Sequence, residues 1–372
     1  MKAELRRLGD FIRQVDVRNK EQKVSRLVGL TIDKAFIPSV ANTIGTDISN
    51  YKIIRKNQFA CSLMQVSRDG KMPVSMFEGD EAIMSPAYPM FEVHSSDLLP
   101  DYLMLWFLRP EFDREASFYA VGGVRGSLEW NDFCDMMLPV PPIEEQRRIV
   151  EEYQTVERRI KNNERLIALL EDTAQTIFRH RFVENIDPNN LPDGWRMGNL
   201  TDIADFMNGT ACQNYESEGN EGLKVLKIRE LSQGYCDVES NVVKAIPDKY
   251  IVDTGDVIFS WSATLIAKIW YGETCALNQH LFKVTSKTYP KWFYLYWTLS
   301  HIDGWKRLIS AKATSMGHIK REDLENAEVV IPTNDIIQEV DFMMTSLLSY
   351  IESVEKECSI LTQTQRTLIN SL

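Results

Sequence analysis

Pro100-Asp101-Tyr102-Leu103-Met104-Leu105-Trp106-Phe107 occurs again 190 residues later as Pro290-Lys291-Trp292-Phe293-Tyr294-Leu295-Tyr296-Trp297. The identities change, but a proline start followed by an aromatic–aliphatic run is kept. Working outward, Met90-Phe91-Glu92-Val93 matches Leu281-Phe282-Lys283-Val284 at a spacing of 191. Gly126-Ser127-Leu128, Asp132-Phe133 and Pro141 match Gly317-His318-Ile319, Asp323-Leu324 and Pro332 at the same spacing. Solenoid units run to only roughly 20–50 residues. The chain therefore reads as two similar mixed α/β domains. A duplicated protein suits a partner with approximate two-fold symmetry, and duplex DNA is the commonest such partner.

The remaining composition agrees. A length of 372 residues allows two to three domains, and 44% hydrophobic with 26% charged residues describes an ordinary globular chain. The most apolar window, Val257 to Gly272, carries Lys268 and is too short to span a bilayer. No apolar signal core follows Met1-Lys2-Ala3-Glu4-Leu5-Arg6-Arg7. Six cysteines without a Cys-x-x-Cys pair suit a reduced, cytoplasmic protein with neither zinc site nor disulfide framework. The net charge is −11, yet residues 1–60 hold 12 Lys/Arg against 6 Asp/Glu. That stretch is either a solvated face or a contact for nucleic acid, where the local field matters more than the total.

Each copy ends in a heptad-patterned segment. In the first, Ile149, Val156, Asn163, Leu170 and Ile177 recur every seventh residue, with Tyr153, Ile160, Ile167 and Ala174 four residues on. In the second, Ile337, Met344, Ile351, Cys358, Gln365 and Leu372 alternate with Val340, Leu347, Val354, Leu361 and Leu368. This 3–4 spacing predicts two long helices packed along their length, and Pro141-Pro142 suits the start of the first. Asn163 and Gln365 are tolerated in the seam or fix its register, as polar seam residues do at some cost in stability. The expected organisation is 1–141 and 186–332 for the two domains, with 142–185 and 333–372 for the helices. At about 37 residues each helix would be roughly 55 Å long, a rod able to hold two DNA-reading domains at fixed separation.

Ahead of each helix, Lys52-Ile53-Ile54, Phe59 to Met64, Val257 to Trp261 and Leu281 to Val284 read as strands, and Tyr102 to Leu108 and Trp292 to Leu299 as helices. The aromatic run Trp292, Phe293, Tyr294, Tyr296, Trp297 either stacks on bases or, as its helical spacing favours, packs a core. A P-loop, a Gly-x-Gly-x-x-Gly loop, His-Glu-x-x-His, Gly-x-Ser-x-Gly and the Asn/Asp-Pro-Pro-aromatic grip of DNA methyltransferases are all missing. The five histidines lack metal spacing. No catalysis by this chain is expected.

Over nearly its full length the sequence resembles the specificity (S) subunit of type I restriction–modification systems. Leu191-Pro192-Asp193-Gly194-Trp195 and Leu200-Thr201-Asp202-Ile203-Ala204 are similar to the entry of that family's target-recognition domains. Gly255 to Ser262, Asn278-Gln279-His280-Leu281-Phe282 and Thr314 to Ile319 match its central strands and closing segment. Leu138-Pro139-Val140-Pro141-Pro142-Ile143-Glu144-Glu145-Gln146-Arg147-Arg148-Ile149-Val150 is close to its domain-to-helix signature. The second junction, Ile331 to Gln338, lacks the second proline and the Glu-Gln pair. Lys56-Asn57-Gln58-Phe59 stands where the second half has Gly255-Asp256-Val257-Ile258, and Ser85-Pro86-Ala87-Tyr88 replaces the Asn-Gln-His stretch.

The resemblance implies two α/β target-recognition domains joined by an antiparallel coiled coil. Each domain would read half of a bipartite site in double-stranded DNA across an unread gap. Two methyltransferase subunits would dock on the chain and methylate a flipped-out adenine, and restriction (motor–nuclease) subunits could join for cleavage. S-adenosylmethionine, ATP and Mg²⁺ would belong to those partners, and this chain would carry no cofactor and no chemistry.

Arg and Lys suit guanine edges, Asn and Gln adenine. From polar loops beside the strands, the candidate readers are Arg18, Lys20, Lys23, Gln65, Arg68 and Arg125 in the first domain. In the second they are Gln213, Lys224, Lys227, Arg229, Lys268 and Lys312. Each is alternatively an ordinary surface side chain. The competing functions are a coiled-coil interaction scaffold without DNA binding, which predicts no salt-dependent DNA affinity, and a stand-alone nucleic-acid enzyme, against which the missing motifs speak.

Overall fold

The computed structural model describes residues 4–39, 47–64, 66–121, 126–184, 186–215, 217, 221–237, 240–311 and 318–372. The chain forms two compact units. One comprises Met1–Ile160 with Ile360–Leu372, the other Lys161–Ser359.

In the first unit, a four-stranded antiparallel sheet runs Ile12–Gln14, Met90–Val93, Gln58–Cys61, Val74–Met76. Leu5–Arg7 pairs separately with Met137–Pro139. Helices Pro100–Phe107 and Pro110–Ala120 each begin on a proline, tolerated there because first-turn N–H groups have no helical partner. Phe91 is wholly buried, stacked on Phe59 at 5.0 Å and meeting Phe107 and Phe133 edge-on.

The second unit repeats this plan. Its antiparallel sheet runs Asp205–Asn208, Leu281–Thr285, Val257–Ser260, Ile266–Ile269, the same order. Arg196–Asn199 pairs with Glu328–Ile331. A second four-stranded sheet contains the parallel pair Leu223–Leu226 and Cys275–Leu277. Register sharpens the equivalence. Phe59 faces Phe91 and Phe259 faces Phe282, so Phe59 corresponds to Phe259. Sequence spacing alone sets Phe59 against Ile258. The correction is one residue, and in a strand one residue exchanges faces.

The aromatic run of the second unit is core. Trp292 and Phe293, on helix Lys291–Ala311, are fully buried, and the indole Nε1 of Trp292 donates to Asp341 at 2.7 Å. They are inaccessible to bases.

Two long helices follow the repeats, Ile143–Phe182 with 40 residues and Asn334–Asn370 with 37. Within the second unit they run antiparallel. Phe178 shares a core with Val340 and Met344, while Ile167 packs on Ile351 and Val354 further along. Met344 and Ile351 are buried, as the heptads require, whereas Leu170 and Ile177 are half-buried. Phe178 and Phe182, outside both heptad sets, carry much of the contact. Phe178 meets Phe182, Trp292, Phe293, Tyr296 and Trp297. In the first unit, Ile149, Tyr153 and Leu372 pack against the core that holds Phe91 and Val150. Val156, Leu361 and Leu368 are half-buried.

The two helix entries differ for a physical reason. Gln146 is fully buried. Its Nε2 donates to the carbonyls of Asp97 and Pro141, and its Oε1 accepts from Leu99 N–H. The corresponding residue 191 positions on is Ile337, buried in apolar contacts. One entry is held by hydrogen bonds and the other by packing, so the Glu-Gln pair has no counterpart.

Candidate nucleic-acid interface

In the first unit, Arg18 lies on the loop between Ile12–Gln14 and Val28–Leu30. Its guanidinium pairs with Asp16 at 2.5 Å and donates to the Asn50 carbonyl. Lys20 is exposed on the same loop. Lys23 pairs with Glu21 at 2.5 Å. Arg68, on the short helix Val66–Asp69, pairs with its neighbour Asp69 at 2.7 Å. Gln65 and Arg125 lie outside the described residues.

In the second unit three candidates each reach a residue between Cys236 and Asn241. Lys224, on strand Leu223–Leu226, reaches Glu273 at 2.8 Å and the Cys236 carbonyl. Lys227 Nζ donates to Asn241 Oδ1 at 2.5 Å. Arg229, on helix Ile228–Gln233, bridges Glu230 at 2.8 Å and Asp237 at 3.1 Å. Glu230 is 1% exposed and also accepts from the Ser240 hydroxyl and Lys227 N–H. A buried carboxylate needs such partners, so this network sets the orientation of Arg229. Gln213 is exposed on the turn Cys212–Tyr215, and Lys312 is outside the described residues.

Lys268 sits elsewhere. It shares a cavity of about 260 Å³ with Glu171 of the first long helix and with Tyr271 and Tyr296. Desolvation raises the carboxyls of Glu171 and Glu355 above their ordinary range, and the Lys268 charge opposes both shifts. Most exposed candidate cations thus have carboxylate partners within their own unit. Exposed pairs such as Lys23 with Glu21 and Arg68 with Asp69 contribute only about 0–1 kcal/mol, so exchanging those carboxylates for a phosphate costs little, whereas Arg229 also serves the buried Glu230.

Sequence reasoning missed one cluster. The Trp261 ring lies 5.7 Å from His280, 6.1 Å from Phe282 and 5.9 Å from His318, and its Nε1 donates to Asn208 Oδ1 at 3.2 Å. The signal was present in Ser260-Trp261-Ser262 and Asn278-Gln279-His280. Those segments are 16 or more residues apart and meet only through the pairing of Val257–Ser260 with Leu281–Thr285. Among the described residues, no cluster of His, Cys, Asp and Glu has the makings of a metal site, and no helix is long and apolar enough to cross a membrane.

Residues 192–362 match the family model for the type I restriction modification DNA specificity domain. That match spans the sheets of the second half and most of the second long helix. Over most of its length the chain is similar to type I specificity subunits. It is 20% identical to the MjaIX specificity subunit of Methanocaldococcus jannaschii, over 74% of this chain and 68% of that one. It is 21% identical to the MjaVIII specificity subunit of the same organism, over 99% and 91%. The fold is shared with the S subunit of a type I restriction–modification system from M. genitalium, at a TM-score of 0.55 and 11% identity, covering 100% and 96% of the two chains. Within the matched residues, Lys224, Lys227 and Arg229 border Cys236 to Asn241, and the Trp261 cluster follows the strand Val257–Ser260.

Proposed function

We propose that this chain is the DNA-reading subunit of a type I restriction–modification complex. Each α/β unit reads one half of a bipartite duplex site, and the long helices set the unread gap and carry two methyltransferase subunits. The observation that supports this most directly is the duplication of one sheet plan. The order and register of Asp205–Asn208, Leu281–Thr285 and Val257–Ser260 recur in Ile12–Gln14, Met90–Val93 and Gln58–Cys61, and the second copy matches the specificity domain. Two like readers call for two half-sites.

Methyl transfer and cleavage then belong to the partners, which bring S-adenosylmethionine, ATP and Mg²⁺. The chain supplies address and assembly, without catalysis of its own. Candidate base readers are Arg18, Lys20, Lys23 and Arg68 in the first unit and Gln213, Lys224, Lys227 and Arg229 in the second.

Co-expression with the methyltransferase subunit, followed by methylome sequencing, tests the reading. Adenine methylation at one split motif with a constant gap, lost when this chain is deleted, is the expected result. Methylation that persists without the chain overturns it and favours a scaffold that does not bind DNA.

A further inference from the structure

The duplication provides an internal control for the Trp261 cluster. Ile319 N–H donates to the Trp261 carbonyl at 2.8 Å, and Leu128 N–H donates to the Leu63 carbonyl at 2.8 Å. The segment after Cys61 thus meets Leu128 as Trp261 meets Ile319, and Phe91 is the counterpart of Phe282. The short helices that follow begin on Trp130 and Arg321, 191 residues apart. In the first unit the Trp130 ring packs at 5.8 Å on Phe91, which is completely buried. In the second unit the residue at that position reaches forward along its own helix, where Arg321 pairs with Glu325 at 3.3 Å. Phe282 is left half-buried. It lines a cavity of about 400 Å³ with Trp261, His318, Asn208, Lys320 and Arg321.

The walls of this cavity suit a flat heterocycle. Trp261 and Phe282 present aromatic rings, and Trp261 is held by its bond to Asn208. Asp205 and Asn208 bring an acceptor and an amide to the same space. Lys320 and Arg321 are exposed at the rim, Arg321 with a side chain 78% exposed. An aromatic floor, an amide and a carboxylate at its edge and two cations at its mouth are complementary to a nucleobase and its neighbouring phosphate.

We propose that this cleft of the second unit accepts an unstacked nucleobase of a nucleic-acid strand, occupying the place that Trp130 fills in the first unit, with the adjoining phosphate on Lys320 and Arg321. The inference rests on the nucleic-acid reading above and adds a strand-separated contact confined to one of the two units.

The test uses the full chain and a single-stranded pentanucleotide with 2-aminopurine at its centre, whose emission falls when the base stacks on an aromatic ring. Arg321→Trp gives the second unit the residue the first already carries at this position, so it plugs the cleft from a surface site. Trp261→Ala removes one wall. Quenching is expected for the native chain, with affinity reduced roughly 10- to 100-fold in both variants, and melting temperature preserved in Arg321→Trp. Absence of quenching in the native chain, or equal binding by Arg321→Trp, overturns the proposal.

A parallel arm measures duplex binding by the chain with its methyltransferase subunit. Duplex binding without pentanucleotide quenching removes the cleft and leaves the DNA-reading function standing. Loss of both removes both. Pentanucleotide binding by the native chain that is blocked in Arg321→Trp, with melting temperature preserved, is the outcome that supports the cleft, whatever the variant does to duplex binding.

Discussion

Asn163 lies in the seam of the long-helix pair, 4% exposed, and its Nδ2 meets no oxygen or nitrogen acceptor, only the soft sulfur of Cys358 without good hydrogen-bond geometry. A buried, unpaired amide donor costs about 1–3 kcal/mol. Asn163→Leu removes that donor and keeps the branching at Cγ. Apolar burial adds about 1.5 kcal/mol, and crowding from the larger side chain takes back about 1–3 kcal/mol. The net expectation is about 1–2 kcal/mol of stabilisation. For a unit of this size that raises Tm by roughly 2–8 °C, readable by calorimetry on the full chain. Asn163→Asp should act in the opposite direction, because it places a carboxylate where none can pair. A loss of about 3–5 kcal/mol is expected at neutral pH. Burial would raise that carboxyl, so its charge is destabilising above the raised value and the loss shrinks as pH falls. A lower Tm for Asn163→Leu would refute the reasoning, since the amide would then be contributing net stability. If the amide instead trades stability for register, the leucine variant with methyltransferase should methylate sites with more than one gap length, where the native chain leaves one.

Further expectations follow from the same geometry. Phe178→Ala empties a site lined by five aromatic neighbours and should cost about 3–5 kcal/mol in urea unfolding of the second unit; a loss below about 1 kcal/mol would show that the helix end is not core. His301 stacks on Trp297 at 6.4 Å and Trp305 at 5.4 Å, and burial holds its imidazole below the ordinary value. The unfolded histidine binds its proton first as pH falls, so its contribution is complete above about pH 6.5 and lost as pH drops through the lower folded value. The fall in urea midpoint between pH 7 and pH 5 should therefore be smaller in His301→Phe. In Gly209→Ala the new Cβ would lie 2.2 Å from the Asn278 carbonyl oxygen, backbone that cannot step aside, so the variant should unfold about 1–3 kcal/mol more readily. Arg229→Ala, measured with the methyltransferase subunit bound, should weaken cognate DNA by about 1–3 kcal/mol and relax one position if it reads a base, or weaken all sequences alike if it holds a phosphate.

Much of the architecture was legible in the chain itself, because it depends on local pattern. The duplication, the proline-started helices at Pro100 and the 3–4 spacing of Met344, Ile351 and Val354 are one-dimensional signals. Each maps onto a periodic element without reference to anything distant. Tertiary structure decided what depends on residues far apart in sequence. Register alone showed that Phe59 answers to Phe259, since a one-residue slip is nearly invisible in composition yet reverses the faces of a strand. Phe178 and Phe182 fall outside the heptads because they meet the helix that begins at Lys291 rather than only the partner helix. Gln146 reads as a surface residue until its three backbone partners are in place. The contrast between Trp130 and Arg321 has meaning only once the ring beneath each is known. Periodicity says which side of an element is apolar. It does not say which neighbour covers it or where that cover is missing, because both are properties of the packed chain.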